Sequence, residues 1–297
     1  MPRLNLYQEE FYPSPLQNTW KEFTDNHAAV ASLYCVLFFI ILVIFGPLLA
    51  PFDPLQQHID ALLVPPTWDS NGNILYLFGT DGLGRDMLSR IIYGCRMTFG
   101  ISLFLVALSL LIGVALGAMA GMSRGLLSSF LNHLLDSLMA IPTLLIAIII
   151  IAILGTGLVN SMWAISLALI PQFVHQTRDL VRNKLKKEYV LAAQLDGASK
   201  SHIFFNSILP NMGEMLVVQA TLAMSTAILD ISALGFLNLG AQAPSPELGA
   251  MLSEGLDVAY LAPWNIALPG AAIFLMMVSI NLVGDGLRSA LRYRLLR

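Results

Sequence analysis

The chain has 297 residues, of which 56% are hydrophobic and only 12% charged, where an average soluble protein carries about 25% charged. The net charge of −3, with basic residues in clusters, excludes a nucleic-acid binder built on a basic groove. The two cysteines, Cys35 and Cys95, the first inside an apolar run, form neither a disulfide framework nor a zinc site and are expected to pack. An all-α integral membrane protein is predicted, because helices satisfy their own backbone hydrogen bonds in lipid.

In chain order, residues 1–29 are polar or mixed and carry Glu9, Glu10, Glu22 and Asp25. That is unlike a cleavable signal peptide, so the following apolar run should stay as an anchor. Six transmembrane helices are predicted, at about 30–49, 97–121, 134–155, 162–178, 212–237 and 264–287, each near the roughly 20 residues that cross a bilayer core. A cytoplasmic N-terminus places all but three of the 16 lysines and arginines inside, as the positive-inside rule requires. The exceptions are Arg85, Arg90 and Arg96. The expected organisation is a cytoplasmic segment (1–29), a first span (30–50), an outer loop (51–96), a core domain (97–288) with a cytoplasmic loop at 182–211, and a cytoplasmic tail (289–297).

The outer loop is rich in turn formers such as Pro51, Pro54, Pro65, Pro66 and Gly72, and loops of this length usually have a task. It ends in FGTDGLGRDMLSRIIYGCR, a glycine-rich turn joined to a short amphipathic piece. No βαβ context surrounds that turn, so phosphate binding is rejected. Arg85, Asp86 and Arg90 can instead fix the loop as a scaffold. The second span carries Gly113, Gly117 and Gly121 at four-residue spacing, which suits close helix packing inside the bundle or against a partner subunit. Asp136 and Pro142 open the third span, where the proline should start or kink the helix and 148–151 should be lipid-facing or buried. The fourth span runs through Pro171 to Gln172, His175 and Arg178. His175 is expected to be an interfacial histidine faced by no carboxylate cluster.

Residues 188–211 are predicted to form a helix–turn–helix: Gly197 stops the first helix, Ser199 caps the second and Pro210 ends it. Leu185, Tyr189, Ala192 and Leu195, then Phe204, Ile208 and Leu209, recur at helical spacing, so each helix can lay one face on another surface. Taken alone, the stretch also fits an ordinary cytoplasmic hairpin. In the fifth span Gln219, Ala223, Thr226 and Asp230 share one face, opposite Val217, Met224, Ile228 and Ile231. A carboxylate at mid-span costs about 2.5–3.5 kcal/mol on insertion scales. Asp230 therefore either lines a translocation path or holds a structural partner.

Four motifs in order resemble one family. Ala192-Ala193-x3-Gly197, followed by Leu209-Pro210, resembles the EAA loop of bacterial ABC-importer permeases, although Leu191 stands where that loop usually has Glu and the nearest acid is Glu188. Gly79, Thr80, Asp81, Gly84, Arg85, Asp86, Ser89, Arg90, Gly94 and Arg96 match the signature of the C-type subunit of the dipeptide/oligopeptide branch. FLNLGAQAPSPELGAML (236–252) resembles the family's outer loop, with Asn238 and Leu248 replacing the usual Gly and Trp, and GDGLR (284–288) resembles its last-span ending. Asp230 stands where relatives usually have Glu. NLGAQ and SPE are similar to the Sap-type branch.

The resemblance implies a type I, MetI-like permease fold and a subunit that moves peptides, cationic or antimicrobial ones among them, across the bacterial inner membrane. Implied partners are a homologous B-type permease subunit, two cytoplasmic ATPase subunits and a periplasmic substrate-binding protein. Glu188, Ala192, Ala193, Asp196, Gly197, Leu209 and Pro210 would couple to the ATPase. The chain has no G-x4-G-K-[ST], and none of its five lysines follows a glycine. It is expected to be no enzyme, to hold no cofactor, and to leave ATP to its partners. The Sap-type likeness keeps polyamine (putrescine) export as an alternative. An ion-coupled secondary transporter would need a coupling-ion site, against which a single buried acid argues.

Overall fold

The computed structural model describes residues 15–123, 133 and 135–295, so the expectations for Arg3, Arg124 and Arg297 lie outside the described residues. Helix α1 (Pro15–Asp25) and α2 (His27–Leu49) meet at Asn26, whose side chain accepts from the Ala29 N–H at 3.2 Å and so caps α2. Phe23 of α1 is buried, while Tyr34, Phe38, Ile41 and Phe45 of α2 face outward, as suits a helix bordering lipid.

Helix α3 (Met87–Met122) begins ten residues before the predicted second span, because the Asp86 carboxylate accepts from the Ser89 N–H at 2.8 Å. The amphipathic piece of the outer loop is therefore its first turns. Its 36 residues run about 54 Å at 1.5 Å per residue, so it reaches well past a hydrocarbon core of about 30 Å. Helix α4 (Thr143–Leu154) starts directly after Pro142 and has only 12 residues, about 18 Å. The third span is thus a broken one: residues 135–139 are helical, and the proline, lacking an N–H, separates them from α4. Ala147 and Ile151 of α4 are buried while Ile149 and Ile153 are exposed.

Helix α5 (Leu158–Lys184) keeps Pro171 inside it and packs along α3 in the most extensive helix contact among the described residues. Gly113, Gly117 and Gly121 lie directly against Phe173, Thr177 and Val181, where an added methyl would collide. The glycine face is used inside this chain, not toward a partner. After α6 (Glu188–Leu195) and α7 (Lys200–His202), which continues as a π-helix over Ile203–Ile208, come α8 (Gly213–Phe236), α9 (Leu248–Leu256) and α10 (Trp264–Leu295). Helix α10 packs on α8, α2 and α9, and α1 lies along it. Five of these helices, α2, α3, α5, α8 and α10, are long and apolar enough to cross a membrane. With the broken third span they correspond to the six predicted. Asn238 adopts φ +56°, a left-handed conformation that asparagine tolerates better than most residues, so its replacement of glycine is accommodated. Leu248 is fully buried.

Candidate functional site

Three places hold the residues singled out from sequence: the hairpin 188–211, the outer signature loop, and the polar face of α8. In the hairpin, α6 closes with a Schellman motif: the Gly197 N–H donates to Gln194 O (3.1 Å) and the Ala198 N–H to Ala193 O (3.0 Å). Gly197 supplies the left-handed turn at φ +80°. Ser199 then caps α7 through the His202 N–H (3.3 Å). Val190, Ile203, Phe204, Ile208 and Met212 form a buried cluster with Ala118 of α3 and Val181 of α5, so the hairpin is fastened to the helix ends it follows.

The buried face of α6 is not the predicted one. Val190 and Ala193 turn inward, while Tyr189 (44% exposed), Leu191 (46%) and Leu195 (90%) are uncovered. An eight-residue helix makes about two turns, so a neighbouring cluster, not its own weak periodicity, selects the face. Glu188, Ala192, Asp196, Gly197 and Pro210 share the exposed surface, and Leu209 is half-buried.

In the outer loop, the Thr80 hydroxyl donates to Ala61 O (2.6 Å) and accepts from the Val64 N–H (2.8 Å), and the Trp264 indole N–H donates to Thr80 O (3.1 Å). Gly79 and Gly84 take the turns at φ +77° and +71°. Asp81 accepts from the Arg85 N–H (2.9 Å), from Arg85 Nε (2.6 Å) and from Arg90. Glu254 Oε2 accepts from Arg85 (2.6 Å) and Arg90 (2.9 Å). The Ser89 hydroxyl donates to Asp86 (2.6 Å) and accepts from the Phe52 N–H (3.0 Å). The structure thus brings Asp81, Arg85 and Arg90 together with Glu254 as a scaffold of four charges that cancel, while Asp86 is bonded to Ser89 beside it. Burial alone would raise the Asp81 carboxyl, but the Arg90 charge, the Arg85 N–H and the Arg85 charge together hold it below its usual value.

Sequence reasoning missed Glu254, which lies 164 residues beyond Arg90 in the chain, and Glu247. Glu247 is fully buried. It caps α9 by accepting from the Ala250 N–H (2.9 Å) and takes the Thr98 hydroxyl (2.9 Å). Two acids seven residues apart in a mostly apolar loop were the available signal. Burial raises the Glu247 carboxyl, against the opposing pull of the Gly249 and Ala250 N–H groups and of Thr98. A raised native value means that the folded state holds the proton more readily, so this group's contribution falls as pH rises from its ordinary 4.5 through the native value. Glu247→Gln keeps an acceptor for the cap. It is expected to gain in melting temperature relative to the parent between pH 5 and pH 8, and parallel melting curves across that range would contradict this account.

On α8, Asp230 is 3% exposed and lies near the Thr143 side chain at the start of α4. Its Oδ2 meets no protein partner. Gln219 and Thr226 are half-buried, and Ala223 is buried. On the opposite face Met224, Ile228 and Ile231 are buried as well, while Val217 is 52% exposed, so α8 is enclosed on two sides only beyond its first turns. His175 differs from expectation: its ring lies 3.5 Å from Asp136, because the segment before Pro142 returns to α5, and 3.8 Å from Asp179, one turn on along the same helix. Among the described residues no group of three or more His, Cys, Asp or Glu side chains is arranged to hold a metal.

The sequence matches the family described as binding-protein-dependent transport system inner membrane component over residues 113–297, and the N-terminal TM domain of oligopeptide transport permease C over residues 14–66. It is 45% identical to the peptide transport system permease protein SapC of Salmonella typhi across 98% of both chains. It is also 45% identical to the di/tripeptide transport system permease protein DppC of Pseudomonas aeruginosa, covering 94% of this chain and 92% of that one. The dipeptide transport system permease protein DppC of Haemophilus influenzae is 42% identical, with 94% of each chain covered. Among solved structures, the inward-facing MetNI methionine ABC transporter aligns with a TM-score of 0.55 at 18% identity, covering 69% of this chain and 97% of that one. At that identity the likeness concerns the fold alone.

Proposed function

The chain belongs to the family of binding-protein-dependent transport system inner membrane components, and from that premise we propose that it is one of two permease subunits in an ATP-driven peptide transporter. It is an inner-membrane permease protein, not an enzyme. In the proposed complex it pairs with a homologous B-type permease subunit and two cytoplasmic ATPase subunits that bind the ATP. A periplasmic substrate-binding protein delivers peptides, cationic or antimicrobial ones among them. Both termini and the hairpin 188–211 are cytoplasmic, which agrees with the bias of lysine and arginine.

The observation that carries the coupling role is the hairpin surface. Tyr189, Leu191, Leu195 and Phe205 are 44%, 46%, 90% and 62% exposed on an element whose other side is fastened to α3, α5 and α8. Apolar residues left uncovered beside Asp196 and Gly197, outside the bilayer, fit a surface that an ATPase subunit covers. A push on that surface reaches the spans through the buried cluster, as an alternating-access cycle requires. Asp230 serves the translocation path with Gln219 and Thr226, its carboxylate turned to the break between Pro142 and α4.

The test is uptake into proteoliposomes carrying the complete complex. Peptide should accumulate only with ATP, the ATPase subunits and the binding protein together. Uptake by this chain driven by an ion gradient alone would make it a secondary transporter, and ATP-dependent polyamine efflux would make it an exporter. In the same assay Asp230→Asn, nearly identical in size but neutral, is expected to reduce transport several-fold with the complex assembled. Failure to assemble would assign Asp230 a structural role.

A further inference from the structure

We propose that the cavity between the inner ends of α3 and α5 and the hairpin binds the headgroup of an anionic phospholipid of the inner leaflet, and that the bound lipid braces the hairpin. From the preceding reading this takes only the cytoplasmic placement of residues 188–211. The cavity has a volume of about 430 Å³ and is lined by Met122, Ser123, Leu185, Gln194, Lys200 and Ile203, with no carboxylate in its wall among the described residues. That volume falls in the range of about 300–1,000 Å³ typical of small-molecule sites. The apolar run of α3 ends at Gly121, so Met122 and Ser123 stand where a helix passes from hydrocarbon to headgroups.

Charge and polarity select the ligand. Lys200 is exposed, and neither it nor Lys184, Lys186 or Lys187 forms an ion pair among the described residues. The cytoplasmic bias of basic residues accounts for the side of the membrane on which these lysines lie. It does not account for an unpaired cation in the wall of an acid-free cavity. A lysine ammonium carries three donors and no acceptor, which a phosphate group meets with a charge-assisted hydrogen bond, and basic clusters just inside a span attract anionic headgroups. The Gln194 amide adds donors to the same wall. The Ser123 hydroxyl already donates to Ala120 O at 2.8 Å, so its oxygen is left to accept from a headgroup hydroxyl. Met122, Leu185 and Ile203 supply apolar surface, as the glycerol and first methylenes of an amphiphile require and a small free anion does not. Met122, Leu185 and Ala198 also pack against the buried cluster of Val181, Val190 and Ile203. A ligand in the cavity therefore touches both the hairpin and the helix ends that fasten it.

The experiment uses the permease–ATPase complex in nanodiscs of phosphatidylcholine, alone or mixed with phosphatidylglycerol. Retained lipid is read by native mass spectrometry and hairpin mobility by amide exchange. The parent is expected to retain phosphatidylglycerol in preference to phosphatidylcholine, with exchange over residues 190–205 several-fold slower when it is present. Lys200→Gln should reduce the preference about tenfold, the order of one lost hydrogen bond to a charged group, and should cancel the slowing. An unchanged melting temperature in phosphatidylcholine alone shows that the variant's fold is intact. Lys186→Gln combined with Lys187→Gln, at exposed positions outside the cavity wall, should keep both effects. Equal losses in the two variants would mean diffuse attraction to a basic surface, and the site falls. It falls as well if the parent shows no preference, or if phosphatidylglycerol is retained without slower exchange. Soluble glycerol 3-phosphate that slows exchange as well as the lipid does would make this a site for a free phosphate and overturn the lipid. Neither readout needs transport. Both effects present without peptide uptake would remove the transport reading alone, whereas uptake without either effect would remove the lipid site alone.

Discussion

Arg90→Met is expected to lower the stability of the assembled protein by about 3–5 kcal/mol, the cost typical of removing one partner from a buried ionic group. Arg90 is 1% exposed and bonds both Asp81 and Glu254. Without it, two carboxylates share the single cation of Arg85, and the buried cluster changes from neutral to negative. The methionine fills much of the arginine stem's space, so the loss is electrostatic more than steric. Charge, not volume, should therefore govern rescue. Adding Glu254→Gln to Arg90→Met restores neutrality and should recover part of the lost stability, although Glu254→Gln alone is destabilising. The four-way comparison is a double-mutant cycle read by thermal unfolding of the purified complex. If the two substitutions simply add, the quartet is not an energetic unit and the signature residues act separately. Because Arg90 belongs to the first turn of α3 while Glu254 lies in α9, the loss should also loosen the outer end of the bundle. Faster amide exchange near 79–90 and 247–256, with the hairpin unaffected, would report it.

Gly197→Val is expected to abolish ATPase docking and substrate-stimulated ATP hydrolysis while leaving membrane insertion intact. The reason is conformational. Gly197 stands at φ +80°, where a residue with a Cβ loses about 1–2 kcal/mol and a β-branched one more. Among the described residues, chain neighbours aside, nothing lies within 4 Å of a Cβ built there, so no collision with them contributes. Two causes remain: strain that reopens the turn between α6 and α7, and a side chain placed where the ATPase should approach. Gly197→Asn separates them, since asparagine tolerates the left-handed region but adds comparable bulk. Recovery of docking with Asn assigns the defect to strain, and an equal defect assigns it to contact. Normal docking and hydrolysis in Gly197→Val would make 188–211 an ordinary hairpin.

What the sequence determined by itself was local. Apolar stretches of about 20 residues located the spans, because lipid accepts little else. Pro142 marked the break before α4, since it lacks an N–H, and Gly197 and Ser199 marked the turn of the hairpin, since each acts on backbone groups within a few residues. Asp86 carried an equally local signal for the early start of α3 through Ser89, which the apolar periodicity of the span outweighed. The tertiary structure decided everything that depends on which distant surfaces meet. It paired Arg85 and Arg90 with Glu254, turned Val190 inward in place of Tyr189 and Leu195, set the glycine face of α3 on α5, and placed Asp136 beside His175. None of these has a sequence period, because side-chain spacing along a helix defines a face without naming what covers it. The partner is selected by the packing of several helices at once, and only then do buried charges acquire the neighbours that make their burial tolerable.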